Sequence, residues 1–325
     1  MTTLSMRPAP HLRDPHSDSG IMGHVIIASL FPTFAATYLF GFWVLAMAAV
    51  GMGTAVIFEA GYQKIRGHTI TVSDCSAAVT GLLLALSLPV TAPLWILTVG
   101  TFFAIVVVKQ IPGGIGKNPI NPAVAARVLL NVLFEPQISQ WVMPGPDAVA
   151  TATPLEYIGH FTQTVSPELP PLINLFWGYM GGAIGEVPKL FILAGCAYLV
   201  WKKIIDIRIP LAVLLGAGVV ALLYGRFNFT YTAYHLLSGS LFLGAVYMVT
   251  DYSSGPLTLR AKIVYGFLVG VLTLSIRILF NLPGGFGIAL VIMNIFSKAI
   301  DRAATPRVMG HTEREVSGEI YDVHL

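Results

Sequence analysis

Long apolar runs separated by short polar or proline-rich breaks organise the chain from residue 21 to residue 300. Runs at 21–40, 41–62, 73–88 and 93–108 each read as a helix that crosses, or nearly crosses, a bilayer. Pro32 predicts a kink in the first of them. After Lys109 comes Ile111-Pro112-Gly113-Gly114-Ile115-Gly116, then Asn118-Pro119-Ile120-Asn121-Pro122. Helical backbone cannot continue through this stretch, because proline lacks the amide donor and glycine holds a helix poorly. Asn121 then reads as the cap of a fifth run, 122–134, with Pro122 at its first helical position. That run is short for a full straight crossing. Five more runs follow at 189–201, 210–224, 234–249, 261–280 and 284–300. Residues 172–184, apolar and glycine-rich, read as a re-entrant or interfacial element. The pattern predicts about ten spans.

Composition fixes the class. Of 325 residues, 55% are hydrophobic and 11% are charged, with a mean hydropathy of +0.75. A soluble chain has about 25% charged residues, so the expectation is an all-α integral membrane protein in contact with membrane lipid. The net charge of +3 is too small to suggest nucleic acid. The pattern divides the chain into a polar N-terminal arm (1–20) without signal-peptide character, a first membrane repeat (21–134), a loop (135–171), a second membrane repeat (172–300) and a polar tail (301–325). Placing both termini inside with ten crossings puts all but four of the 19 Lys and Arg on the cytoplasmic side. The exceptions are Arg127, Lys189, Arg226 and Arg277. This asymmetry predicts cytoplasmic termini and an extracytoplasmic 135–171 loop. No Lys or Arg occurs anywhere in 131–188.

The element Pro112-Gly113-Gly114 recurs as Pro283-Gly284-Gly285, each time before the last span of its half. With five spans per half, the second half enters the membrane the opposite way round. Inverted repeats with broken helices are a transport architecture, with ligands bound at the breaks. Gly113, Gly114, Asn118 and Asn121 are therefore candidate ligand-binding positions, although both asparagines also suit simple helix capping. The glycines lack the Lys-Ser/Thr ending and the preceding strand of a phosphate loop, which argues against nucleotide binding there. Asp74 and Arg127 are charges at membrane depth, where such groups pair or line polar paths. They are candidates for a pair, with Asp74 equally suited to capping. Cys75 and Cys196 form no metal-like cluster and read as small buried side chains.

Asp147-Ala148-Val149-Ala150-Thr151-Ala152-Thr153-Pro154-Leu155 presents two hydroxyls among alanines, with no His or Lys in the several residues before it to act as a base. Small neighbours leave such a hydroxyl open to a bulky partner.

Taken together, three stretches resemble one family: Ser73-Asp74 through Pro89, Gly113 through Arg127 with its double Asn-Pro, and Asp147 through Leu155. The chain is similar to the D subunits of Rnf complexes, which are ion-translocating ferredoxin:NAD oxidoreductases, and to the homologous B subunits of sodium-translocating NADH:quinone reductases. The resemblance spans about residues 21–300. It implies a ten-helix inverted-repeat fold like that of urea transporters, in a bacterial inner membrane. It also implies an FMN joined by a phosphoester to Thr153, with Thr151 the minor candidate and Asp147 part of the matching motif. Ala150 and Thr151 depart from the family's usual Ser and Gly. The implied function is electron transfer through the covalent FMN between ferredoxin and NAD, coupled to Na+ or H+ translocation, as one subunit of an enzyme and not catalytic alone. The implied partners are the other membrane and cytoplasmic Rnf subunits and a flavin transferase that makes the bond outside the cytoplasm. A non-covalent riboflavin near the membrane core is also implied. The competing function is a solute channel or transporter of the same fold with no redox role.

Overall fold

The computed structural model of the chain describes residues 17–145, 149–158 and 169–304. Helix α1 (Asp18–Phe40) opens on Ser17, whose hydroxyl accepts the Gly20 amide. Along it, Ser29, Thr33 and Thr37 each donate to the carbonyl four residues back, so none brings an unpaired hydroxyl into the apolar layer. Helix α2 (Trp43–Ile65) follows. A 3-10 turn at Val72–Asp74 leads into α3 (Ser76–Leu86). Helix α4 (Leu94–Phe102) continues as a π-helical stretch, Phe103–Gln110.

Asn121 caps α5 (Pro122–Ile138) as its sequence predicts. Phe134 leaves helical geometry (φ −131°) just before Pro136, so the regular part of α5 ends where the apolar pattern ends. Then come the short α6 (Pro154–Tyr157) and α7 (Leu172–Trp177), α8 (Lys189–Trp201) and α9 (Arg208–Tyr224). The expected single span at 234–249 is instead two helices, α10 (Phe229–Leu237) and α11 (Leu241–Tyr247). The break falls at Ser238–Ser240, where Gly239 takes φ +67°, a backbone state that costs glycine little. Helices α12 (Leu259–Leu279) and α13 (Gly285–Ala304) complete the chain. Helices α1, α2 and α12 are long and apolar enough to cross a membrane, and several others are shorter and apolar. The chain is an all-helical, multi-pass membrane protein. Among the described residues the one β-type pairing is an isolated bridge between Val142 and Ala150.

Close helix contacts are made where side chains are missing. Helices α9 and α12 cross at Gly216 and Gly270; a Cβ on either would collide with a backbone carbonyl of the other helix, Phe267 or Val213. Small residues at such crossings let backbones approach, a main source of helix adhesion in lipid. The two halves meet where α1 lies against α8 and α5 against α13. The Tyr247 hydroxyl also crosses between the halves, donating to the Ala28 carbonyl of α1.

Residues 178–188 are irregular and almost entirely buried. In a membrane such backbone is tolerated only where protein covers it. Here it has a structural use. The Ile184 amide donates to Leu88 O at 3.0 Å and the Gly185 amide to Leu86 O at 2.7 Å. Both acceptors lie at the C-terminal end of α3, where helix carbonyls otherwise lack donors.

The two Pro-Gly-Gly elements differ locally. Gly113, Gly114 and Gly116 all take positive φ in a turn after the π-helical stretch, whereas Gly285 starts α13 directly.

Candidate functional site

Asn121 is the centre of a polar network between the halves. Its Oδ1 accepts the Ala123 and Val124 amides at 3.1 and 3.3 Å. Its Nδ2 donates to Asp251 Oδ2 at 3.2 Å, and its own amide donates to Asn294 Oδ1 at 3.1 Å. Asp251 also accepts from the Ser253 amide and from the Ser253 and Ser254 hydroxyls. Asn118 donates to Ser253 Oγ at 3.0 Å. Asn294 Nδ2 pairs with the Ser254 carbonyl and the Tyr265 hydroxyl. The asparagines that read as caps therefore also tie the α5 entry to the loop after α11.

This network borders a cavity of about 640 Å³. Met22, Val79, Leu83, Leu199 and Val246 supply much of its apolar wall. Asn118, Asn121, Asp251, Ser253 and Thr80 supply polar groups, and Lys203, Asp206 and Lys262 add charge. Outside the membrane-spanning helices, the Arg208 guanidinium hydrogen-bonded to Asp206 holds its carboxyl below the usual carboxylate range. The size and mix suit a small organic ligand with an apolar body and a few polar groups. Gly113 and Gly114 are not part of this wall; they lie on the adjoining turn.

On one side of the cavity lies a buried ion pair. Lys109 Nζ donates to Glu59 Oε1 at 2.7 Å and to Ser76 Oγ at 2.6 Å. Gln110 donates to the same Glu59 oxygen. Lys109, which from sequence reads as a cytoplasmic loop charge, is thus interior. Asp74 accepts from the Ser76 amide and hydroxyl, so it caps α3. Arg127 does not pair with it: its Nε donates to Ser87 O, and its Nη1 to Asn131. Cys196 is buried, but Cys75 is half-buried and has φ +62° at the α3 entry.

The second candidate region lies on a separate loop. The Val142–Ala150 bridge and the Thr151 amide, which donates to Trp141 O, hold the loop's upstream end. The Thr151 methyl packs so closely on Gly181 that a Cβ there would clash with it. Its hydroxyl turns to the Ala152 carbonyl. Thr153 is the residue before α6, with Pro154 at the first helical position. Among the described residues its hydroxyl reaches only the exposed Glu156 side chain, at 3.3 Å. Of the two threonines, Thr153 presents the more open hydroxyl. Asp147 lies outside the described residues.

Elsewhere in the interior are charges whose connection the sequence alone does not show. Lys189 and Arg277 are buried and Arg127 is half-buried. All three interact electrostatically with one buried carboxylate, Glu186. Three of the four exceptions to the cytoplasmic bias of positive charge are therefore interior groups. Isolated charges inside apolar runs were the available signal; which ones meet depends on tertiary structure. Among the described residues no cluster suits a metal ion.

Comparison with known proteins gives a consistent picture. The NQR2, RnfD, RnfE family model matches residues 5–310. The chain is 40% identical to the D subunit of the Na(+)-translocating ferredoxin:NAD(+) oxidoreductase complex of Acetobacterium woodii, over 95% of this chain and 96% of that one. It is 34% identical to the D subunit of the ion-translocating oxidoreductase complex of Pseudomonas paraeruginosa, over 96% and 98%. It is 31% identical to the D subunit of the proton-translocating ferredoxin:NAD(+) oxidoreductase complex of Clostridium ljungdahlii, over 94% and 96%.

Proposed function

The chain belongs to the NQR2, RnfD, RnfE family, and from that premise we propose that it carries electrons through a flavin attached to Thr153. It is a membrane subunit of an Rnf-type, ion-translocating ferredoxin:NAD(+) oxidoreductase complex, and the other subunits of that complex are its partners. The observation that carries the attachment reading is the contrast between the two loop hydroxyls. Among the described residues Thr153 Oγ1 is held only by an exposed glutamate, while Thr151 is packed against Gly181. Alanine and proline flank Thr153, leaving room for a phosphoester and for the transferase that would form it. FMN bound there supplies the redox chemistry, and the protein supplies position and electrostatics.

The cavity beside Asn118 and Asn121 supports a second, non-covalent flavin such as riboflavin. Its apolar walls suit an isoalloxazine ring, and its amide side chains suit the polar ring edge. The architecture we infer is a ten-span inverted repeat. It is supported by the recurrence of Pro-Gly-Gly and by the pairing of α1 with α8 and of α5 with α13. In this reading the membrane is the bacterial inner membrane, both termini are cytoplasmic and the Thr153 loop is outside. The relatives' names include both sodium and proton translocation, so family membership leaves the coupling ion open.

The test is ultraviolet in-gel fluorescence of the denatured subunit, purified from cells that make the whole complex. A fluorescent band at the mass of this chain is expected. A dark band from an active complex would overturn covalent attachment.

A further inference from the structure

Two observations place buried positive charge against the Thr151–Leu155 loop. The point where a side chain on Gly239 would sit is 2.8 Å from Arg277 Nη2 and 3.0 Å from Leu155 Cδ1. Arg277 and Leu155 thus both close on the space that a Gly239 side chain would fill. Separately, Met180 lines a small cavity of about 100 Å³ with Thr151, Ala152 and Pro154, and its sulfur is 3.8 Å from Lys189 Nζ.

Neither cation is fully used by the fold. Arg277 is 1% exposed and gives Nη1 to the His235 and Ser238 carbonyls, but its Nε and Nη2 have no hydrogen-bond partner among the described residues. Lys189 is fully buried, and the Met180 thioether is a weak acceptor for an ammonium group. Counted formally, Arg127, Lys189 and Arg277 are three cations against the one carboxylate of Glu186. A buried charge without a full partner is costly. Its persistence here calls for negative charge supplied from outside the set.

We propose that Arg277 and Lys189 form an electrostatic seat for the flavin on Thr153, stabilising the negative charge that the flavin gains on reduction and so raising its reduction potential. This rests on the attachment reading above. The two residues are positioning groups acting through the field. At this depth the field is screened little by salt.

The experiment is a redox titration of the covalent flavin, followed by its absorbance, in the purified complex carrying one substitution at a time. Lys189→Met removes a charge and no strong hydrogen bond, so folding is expected to hold. Arg277→Gln removes the second charge, and Glu186→Gln removes the opposing one. The midpoint should fall in the first two and rise in the third. Each shift should correspond to about a tenfold change in the reduced-to-oxidised ratio, or about 30 mV for a two-electron couple. Arg277→Lys should stay near the unsubstituted value. In-gel fluorescence of each variant separates the two readings: a dark unsubstituted band sinks attachment, and this inference with it. Fluorescent bands with unchanged midpoints, or with all three shifted in one direction, overturn the seat alone. Should Arg277→Gln fail to assemble, the opposite signs expected for Lys189→Met and Glu186→Gln decide the matter.

Discussion

The Tyr247 hydroxyl donates to the Ala28 carbonyl at 2.8 Å, and it does so where helix α1 has no donor of its own. In a regular helix that carbonyl would accept the amide of residue 32, and residue 32 is proline. A side chain from the second half repairs a break in the first. Tyr247→Phe should therefore cost about 1–3 kcal/mol, the penalty for a buried unsatisfied acceptor. In a Pro32→Ala background the helix supplies its own amide, and the same substitution should cost much less. Thermal unfolding in detergent of the two single variants and the double variant checks this coupling; equal losses in both backgrounds would refute it.

The Lys109–Glu59 pair makes a second prediction. Lys109→Met leaves Glu59 as a buried carboxylate with only Gln110 as donor, and should destabilise by about 3–5 kcal/mol. Adding Glu59→Gln should recover most of that loss. Denaturation midpoints of the three variants provide the comparison.

Flavin attachment should depend on one hydroxyl. Thr153→Val is expected to assemble and carry no covalent flavin, with a sharp loss of ferredoxin-dependent NAD reduction by the complex. Thr151→Val should keep the fluorescent band. Thr153→Ser retains a hydroxyl and should show partial attachment. A flavin lost from the Thr151 variant and kept in the Thr153 variant would move the site by two residues.

Val149 is 60% exposed on the loop ahead of Thr153. In a chain with Cys75 and Cys196 replaced by serine, Val149→Cys should react with a membrane-impermeant maleimide added to whole cells. Labelling that requires opened cells would invert the topology.

Much of this was legible in the residues, and the gaps have physical reasons. Asn121-Pro122 announced the start of α5, because a cap and a proline at the first turn act locally. Phe134 ended its regular part where the apolar run ends. The break at Gly239 was not legible: Ser238-Gly239-Ser240 sits in an apolar run, and only packing against Arg277 and Leu155 shows that the chain must open there. Lys109 looked like a loop charge because its partner, Glu59, is 50 residues away. Glu186, Lys189 and Arg277 could each be seen as misplaced charges, but that they interact with one another depends on the fold. The repeated Pro-Gly-Gly suggested equivalent turns, yet the backbone uses the two copies differently.

The hydrogen bonds from residues 178–188 to the end of α3 also bear on how the protein is made. Leu86 and Leu88 are synthesised about a hundred residues before the amides of Gly185 and Ile184 that complete them. Ala28 waits longer still for Tyr247. Synthesis proceeds from the N-terminus, so the first half enters the bilayer with acceptors that lipid cannot satisfy. It reaches its final form only when the second half arrives. A chain that stops short of residue 184 leaves the Leu86, Leu88 and Ala28 carbonyls without these partners.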